Sequence, residues 1–220
     1  MVTVRVKICG ITDMETATAA VAAGADALGF VFAESRRKVA PEAAREIILG
    51  LPPFVSAVGV FVDAPLELVR EVADYCRLDA VQLHGMESPE YCTQLGLKVI
   101  KAFGVRPKEA PSSGTAAGAL VSESDLELID TYRSVSAVLL DTAVPGLAGG
   151  TGRTFDWGLL NGKRFKIPLI LAGGLTPENV TSAVRTVRPY AVDVSSGVET
   201  DGRKDAAKIK AFIKQVKEVV

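Results

Sequence analysis

Residues 4–12 read Val4-Arg5-Val6-Lys7-Ile8-Cys9-Gly10-Ile11-Thr12. The run through Ile8 is rich in β-branched residues, which suit a pleated strand, and it closes on a turn at Cys9 and Gly10. Two architectures that alternate strands with helices begin this way. An open doubly wound sheet built for a dinucleotide carries G-x-G-x-x-G in this first turn, and Cys9-Gly10-Ile11-Thr12 does not contain it. A closed barrel of parallel strands needs no such turn and keeps its chemistry where its strands end.

Similar short runs of Val, Ile and Leu recur at 27–32, 56–61, 80–83, 99–102, 137–140, 169–171 and 191–194. Continuous apolar runs of this kind are what parallel strands buried on both faces look like. Between most of them lie segments with apolar residues at helical spacing. Segment 16–23 is Ala-rich and closes at Gly24, a C-cap residue; 41–49, 65–76 and 177–187 each start at a proline, which a first helical turn tolerates. Segment 205–219 sets Ile209, Phe212, Ile213 and Val216 on one face and lysines on the other. Eight strands and about eight helices allot roughly 27 residues to each repeat, the size a parallel crossover demands. The expected fold is α/β, a single (β/α)8 TIM barrel spanning 1–220, with no linker to divide it.

Composition bounds the function. The chain has 220 residues, 48% hydrophobic and 23% charged, with 25 Lys+Arg against 26 Asp+Glu and a mean hydropathy of +0.27. Balanced charge supplies no basic face for a nucleic acid. The N-terminus alternates apolar and polar residues, without the apolar core of a signal peptide. The longest nearly apolar stretch, 54–62, is far short of the roughly 20 residues that cross a bilayer. No membrane partner is expected. Three cysteines (Cys9, Cys76, Cys92) form neither a disulfide framework nor a metal-ligand spacing. One histidine with scattered carboxylates offers no ligand set, so no metal is expected. A cytoplasmic protein is the expectation.

In a barrel, functional groups belong at the strand ends, and polar residues recur there. Gly173-Gly174 and Ser195-Ser196-Gly197 follow the last two strands. Glycines there can serve tight turns, or they can let an anion approach backbone N–H groups beside a short helix N-terminus; two such loops at adjacent strand ends favour a phosphate site. Cys9 ends the first strand. A lone cysteine is most often a small buried hydrophobe, but at a strand end its thiolate could act as a base. Asp141 ends a run of apolar residues, pointing into the mouth or capping a loop, and a raised pKa would fit it for proton donation. Of the basic cluster Arg36-Arg37-Lys38, one arginine could fork onto a carboxylate. His84 could be a base or a hydrogen-bonded structural residue, and Asp193 closes the strand-eight run. Stretch 106–122, rich in Pro, Ser, Gly and Ala, reads as a surface insertion. Loop 146–152 follows a strand end on the functional face.

These residues meet a known pattern. Val6-Lys7-Ile8-Cys9-Gly10-Ile11-Thr12, Ser35-Arg36-Arg37-Lys38-Val39, Val81-Gln82-Leu83-His84-Gly85, Leu139-Leu140-Asp141-Thr142, Leu171-Ala172-Gly173-Gly174-Leu175 and Asp193-Val194-Ser195-Ser196-Gly197-Val198-Glu199 occur in this order. Together they resemble the phosphoribosylanthranilate isomerase family of tryptophan biosynthesis over nearly the whole chain. The resemblance implies an Amadori rearrangement, an aldose–ketose isomerisation of N-(5-phosphoribosyl)anthranilate to 1-(2-carboxyphenylamino)-1-deoxyribulose 5-phosphate. It implies Cys9 as general base and Asp141 as general acid. Arg37, with His84 and Asp193, would hold the substrate, and Gly173, Gly174, Ser195, Ser196 and Gly197 its phosphate. No cofactor is implied, because hydrogen moves within the substrate. The family commonly has proline where this chain has Arg36, which leaves Arg36 or Arg37 for the carboxylate.

Two rivals remain at this level. Another ribose-phosphate barrel would share the phosphate loops but place aspartate, or a lysine-rich set, where this chain has Cys9 and its partners. A barrel that binds a phosphorylated ligand without catalysis would most simply have lost one member of the acid–base pair, and both are present. Neither oligomeric state nor the ionisation of Cys9 is legible.

Overall fold

The computed structural model describes residues 3–105, 124–142, 154–160, 162–163 and 165–219. Eight parallel strands close into a barrel in sequential order: β1 (Arg5–Cys9), β2 (Ala27–Val31), β3 (Ser56–Phe61), β4 (Ala80–Leu83), β5 (Val99–Val105), β6 (Ala137–Thr142), β7 (Leu169–Leu171) and β8 (Ala191–Val194). Outside them run α1 (Met14–Ala23), α2 (Pro41–Leu49), α3 (Leu66–Cys76), α4 (Pro89–Gln94), α5 (Val180–Val187) and α6 (Ala206–Glu218). Single 3₁₀ segments lie at Ser124–Thr131, Trp157–Leu160 and Ser196–Val198, and a two-stranded hairpin, β9 (Glu199–Thr200) with β10 (Arg203–Lys204), follows the last of these. Among the described residues no helix is long and apolar enough to cross a membrane.

All eight expected strands are present, β3, β4, β7 and β8 with the expected ends and the other four with shifted ones. β1 lies one residue later than its apolar run and so includes Cys9. β5 extends to Val105 and β6 to Thr142 because the two keep pairing, with Phe103 opposite Leu140, Gly104 opposite Asp141 and Val105 opposite Thr142. Asp141 is therefore part of a strand and not of the loop beyond it. α5 begins at Val180, three residues after the expected Pro177. The Asn179 side chain accepts from Thr176 N at 2.8 Å and donates to Gly174 O at 2.9 Å, which holds the preceding residues in a turn. α4 and the β9–β10 hairpin were not expected. The 106–122 insertion and the 146–152 loop lie outside the described residues.

Period-two alternation sends each strand's side chains to two different cores. Val58, Ile100, Ala102, Leu139 and Ile170 form a small cluster inside the barrel. Val6, Ile8, Leu28, Phe30, Val81, Leu83, Val138 and Leu140 face the helices in the larger one. That outer layer is closed at its seam by α6, whose Ile209, Phe212, Ile213 and Val216 are buried and which packs on α1 and β1. Side chains cap both helices: Asp13 accepts from Thr16 N at 2.7 Å, and Asp205 accepts from Ala207 N and Lys208 N at 2.9 and 3.1 Å. Gly24 ends α1 in the left-handed region at φ +99°.

One ion pair sits in the outer layer. Lys101 points out of β5 and pairs with Glu87 at 3.0 Å, with both side chains 2% exposed. Lys101 Nζ also donates to Gly85 O at 2.7 Å and Ala102 O at 3.0 Å. Glu87 accepts from Asp63 N and Gly85 N, and Tyr132 donates to Glu87 O. The loop after β4, which carries His84, is thus tied to β3, β5 and the segment before β6. Removing only the cation strands a buried carboxylate. Lys101→Met is expected to destabilise the fold by about 3–5 kcal/mol. Adding Glu87→Gln should restore much of that, as read from urea unfolding midpoints.

Candidate active site

The barrel's inner face turns from apolar to polar over a single step of the alternation. Ala80, Leu139 and Ala191 belong to the interior cluster, and two residues on, along the same faces, stand Gln82, Asp141 and Asp193. On β1 the inward positions are Lys7 and Cys9. One cavity is lined by Cys9, Arg37, Gln82, His84, Asp141, Asp193 and Ser195. An adjoining one, sharing Asp141, Asp193 and Ser195, is lined by Gly173, Gly174, Ser196 and Gly197. The fold thus brings every candidate from the sequence to the same end of the barrel.

Asp141 sits in the wall of both cavities. Its Oδ1 accepts from Thr142 N at 2.7 Å, and its Oδ2 lies 3.5 Å from His84 Nε2. Burial pushes its carboxyl above the usual range and the Asp193 charge adds to this, against the opposing pull of His84, the Thr142 N–H and Lys7. A carboxyl whose proton affinity is raised in this way is better suited to proton donation than an exposed one. His84 Nδ1 lies 3.3 Å from Gln82 Nε2. Its imidazole is therefore held between an amide and a carboxylate.

Cys9 faces inward, and burial raises its thiol pKa; Lys7 and Lys204 pull the other way, while Asp193 reinforces burial. Lys7, 3% exposed, donates to Asp193 Oδ1 at 2.9 Å. Burial disfavours its ammonium, but Asp193 and Cys9 outweigh that and hold its pKa above the ordinary value. Cys76 and Cys92 are buried in helices and take no part.

Of the basic cluster, only Arg37 lines the cavity, and its side chain is 11% exposed against 54% for Arg36. Arg37 Nε and Nη2 donate to Glu199 Oε1 and Oε2 at 2.7 and 3.1 Å. Arg36 donates to the same carboxylate at 2.6 Å, and Lys204 at 2.8 Å. Lys204 also donates to Ser195 O and Oγ, while Ser195 Oγ donates to Cys9 O at 3.0 Å. Arg37, Ser195 and the end of β1 are therefore held through one buried carboxylate, whose pKa stays below the usual range: burial alone would raise it, but Arg37 and Lys204 prevail. A larger cavity, about 720 Å³, opens on the other side of Arg37 between α1 and the hairpin. Its wall includes Arg36, Arg37 and Lys204, all engaged by Glu199, and none of the thiol, imidazole or aspartate groups at the strand ends.

Gly173 and Gly174 adopt φ of +86° and +63°, the left-handed region in which glycine is favoured, so the turn itself requires them. At Gly197 a β-carbon would lie 1.8 Å from Leu175 O, so the loops after β7 and β8 touch only because that side chain is absent. The sequence reading missed Lys7, Gln82, Glu199 and Lys204. For Gln82 a signal existed: a lone polar residue on the inward face of an apolar strand, two positions from Ala80; Lys7 was masked because Arg5 alternates in phase with it on β1. For Glu199 there was none, because Arg37 lies 162 residues away; Lys204 is five residues from Glu199, but strands of two residues show no readable pattern.

Comparison with known proteins gives the chain's relatives. The family model for N-(5'-phosphoribosyl)anthranilate (PRA) isomerase matches residues 6–215. The N-(5'-phosphoribosyl)anthranilate isomerase of Desulforudis audaxviator is 56% identical over 215 residues, covering 98% of each chain. That of Moorella thermoacetica is 54% identical, covering 97% of this chain and 90% of its own. The phosphoribosyl anthranilate isomerase structure from Thermotoga maritima superposes with a TM-score of 0.85 at 48% identity, over 98% of this chain and all of that one. A second structure of this kind, in complex with reduced 1-(o-carboxyphenylamino)-1-deoxyribulose 5-phosphate, gives 0.82 at 46% identity over the same shares. On sequence and fold, the chain belongs to the N-(5'-phosphoribosyl)anthranilate isomerase family.

Proposed function

We propose that this chain isomerises N-(5-phosphoribosyl)anthranilate to 1-(2-carboxyphenylamino)-1-deoxyribulose 5-phosphate, with Asp141 as general acid and Cys9 as general base. The observation that carries the assignment of roles is that these two groups, an inward thiol on β1 and a buried carboxyl on β6, line one cavity. Asp141 gives its proton to the furanose ring oxygen as the C1'–O bond breaks, and the anilino nitrogen lone pair forms the iminium. The Cys9 thiolate then takes the C2' proton, and the C–H electron pair becomes the C1'=C2' bond while the iminium is neutralised. The resulting enolamine gains a proton at C1' and loses one from the C2' hydroxyl, giving the ketone. Every step is a proton transfer, and the oxidation at C2' is balanced by the reduction at C1'.

Arg37 offers its guanidinium to the anthranilate carboxylate, with Glu199 fixing the fork from behind. His84 and Asp193 flank the sugar. The backbone of Gly173, Gly174, Ser195, Ser196 and Gly197 holds the phosphate. Residues 1–220 act as a single catalytic domain on this reading. Nothing here involves a nucleic acid or a membrane, and the place of action is the cytoplasm.

Loss of phosphoribosylanthranilate fluorescence tests the roles. Cys9→Ala and Asp141→Asn should each lower kcat by about 10²–10⁴-fold with KM little changed; a variant near wild-type kcat would remove that residue from its role. Arg37→Ala is expected to raise KM by about 10- to 100-fold through loss of a charge-assisted contact, whereas a comparable effect from Arg36→Ala alone would move the carboxylate site by one residue. Gly197→Ala should part the two glycine loops. Its signature is a weaker inhibition by inorganic phosphate and a raised KM.

A further inference from the structure

The two reacting groups need opposite protonation: a thiolate on Cys9 and an acid on Asp141. Ordinary chemistry favours the reverse, since a carboxyl is by far the stronger acid. For one proton shared between the two sites, the fraction in the productive form depends only on how far apart their affinities lie. Burial acts on both groups in the same direction, so it cannot by itself close the gap. A charge placed nearer one site than the other can.

Lys7 is so placed. It and Cys9 are both on the inner face of β1, and both lie against the bare backbone of Gly29 on β2, which pairs with Cys9. A β-carbon at Gly29 would stand 2.8 Å from Cys9 Sγ and 3.0 Å from Lys7 Nζ. The sulfur and the ammonium are therefore within the roughly 6 Å over which an opposite charge favours ionisation. The Lys7 charge is the leading influence favouring the Cys9 thiolate, whereas on Asp141 it ranks behind burial, His84, Asp193 and the Thr142 N–H. Asp193, opposite Lys7 in the β1–β8 register, anchors the ammonium at 2.9 Å. The other charges facing Cys9 are Asp193 itself and Lys204 from the hairpin.

Resting on the acid and base roles given above, we propose that Lys7 is a positioning residue that divides the proton between Cys9 and Asp141. Its ammonium, seated over Gly29 by Asp193, stabilises the thiolate more than it stabilises the Asp141 carboxylate. The proton leaves Sγ and resides on the Asp141 carboxyl, with no change in net charge. Lys7 itself keeps its proton and does not touch the reacting carbons.

The test titrates the Cys9 thiol by its thiolate ultraviolet absorbance, taken as a difference from Cys9→Ala so that Cys76 and Cys92 cancel. Lys7→Gln removes the charge while its amide can still donate to Asp193. It should move the Cys9 titration up by about one unit or more and lower kcat/KM at least roughly tenfold, with the alkaline limb of the pH profile moving up. Asp193→Asn keeps the cation and removes the anion, so the Cys9 titration should move down. Opposed shifts in the two variants are what a merely structural role would not produce. An unmoved thiol in both, or two shifts of the same sign, overturns the proposal while leaving the acid–base pair intact. Near wild-type turnover by Cys9→Ala would instead overturn the acid–base reading, and this inference with it.

Discussion

Closure of the barrel rests on the pairing of β1 with β8, where Lys7 stands opposite Asp193 and Val6 opposite Val192. Alternation makes these two pairs face opposite ways. Val6 and Val192 go to the outer layer and Lys7 with Asp193 to the interior, where each charge would be intolerable alone. A slip of β1 by one residue would put Lys7 among the helices and leave Asp193 unpaired inside, with Val6 among the polar groups. The seam that ends the fold is thus specified by the same ion pair that borders the thiol, and α6 packs on β1 from outside. Structure and chemistry depend here on one register.

A second buried carboxylate organises the same rim on either side of β1. Glu199 accepts from Arg36, Arg37 and Lys204, so its lone pairs are filled and its desolvation is compensated. Those cations come from the loop after β2 and from the hairpin after β8, either side of β1 in the closed barrel. The guanidinium of Arg37 is then held by a rigid group and not by a flexible stem, which lowers the ordering cost of gripping a carboxylate. Lys204 carries the tie onward to Ser195 and, through its hydroxyl, to the Cys9 carbonyl. Likewise Lys101 and Glu87 brace the His84 loop from the outer layer. Three buried carboxylates, Asp193, Glu199 and Glu87, each paired with a cation from another element, set the three walls of the site.

Strand positions were legible because a strand buried on both faces has nothing but its apolar run to distinguish it, and eight such runs at even spacing admit few topologies. Helices with long apolar faces, such as α3 and α6, were legible for the matching reason. α4 escaped because six residues are too few to display a helical period, and the hairpin because each strand is two residues long. α5 was set three residues early because Pro177 is compatible with a first turn, yet the Asn179 side chain keeps that stretch out of the helix. The strand-end candidates were found by position. Lys7 was not, because in a strand the eye assigns an alternating charge to solvent, and a closed barrel has no solvent face.

What the sequence determined alone was the periodicity, and with it the number and order of strands, the end of the barrel that carries the chemistry, and the chemical types present there. These depend on local spacing, which is written in the chain. What only the tertiary structure decided was which groups share an environment: Arg37 rather than Arg36 at the cavity, His84 beside Asp141, Lys7 beside Cys9, and Glu199 beneath three cations. Proton affinities follow from burial and from charges a few ångströms away. Those neighbours are contributed by strands as remote as β1 and β8, so they exist only once the barrel has closed.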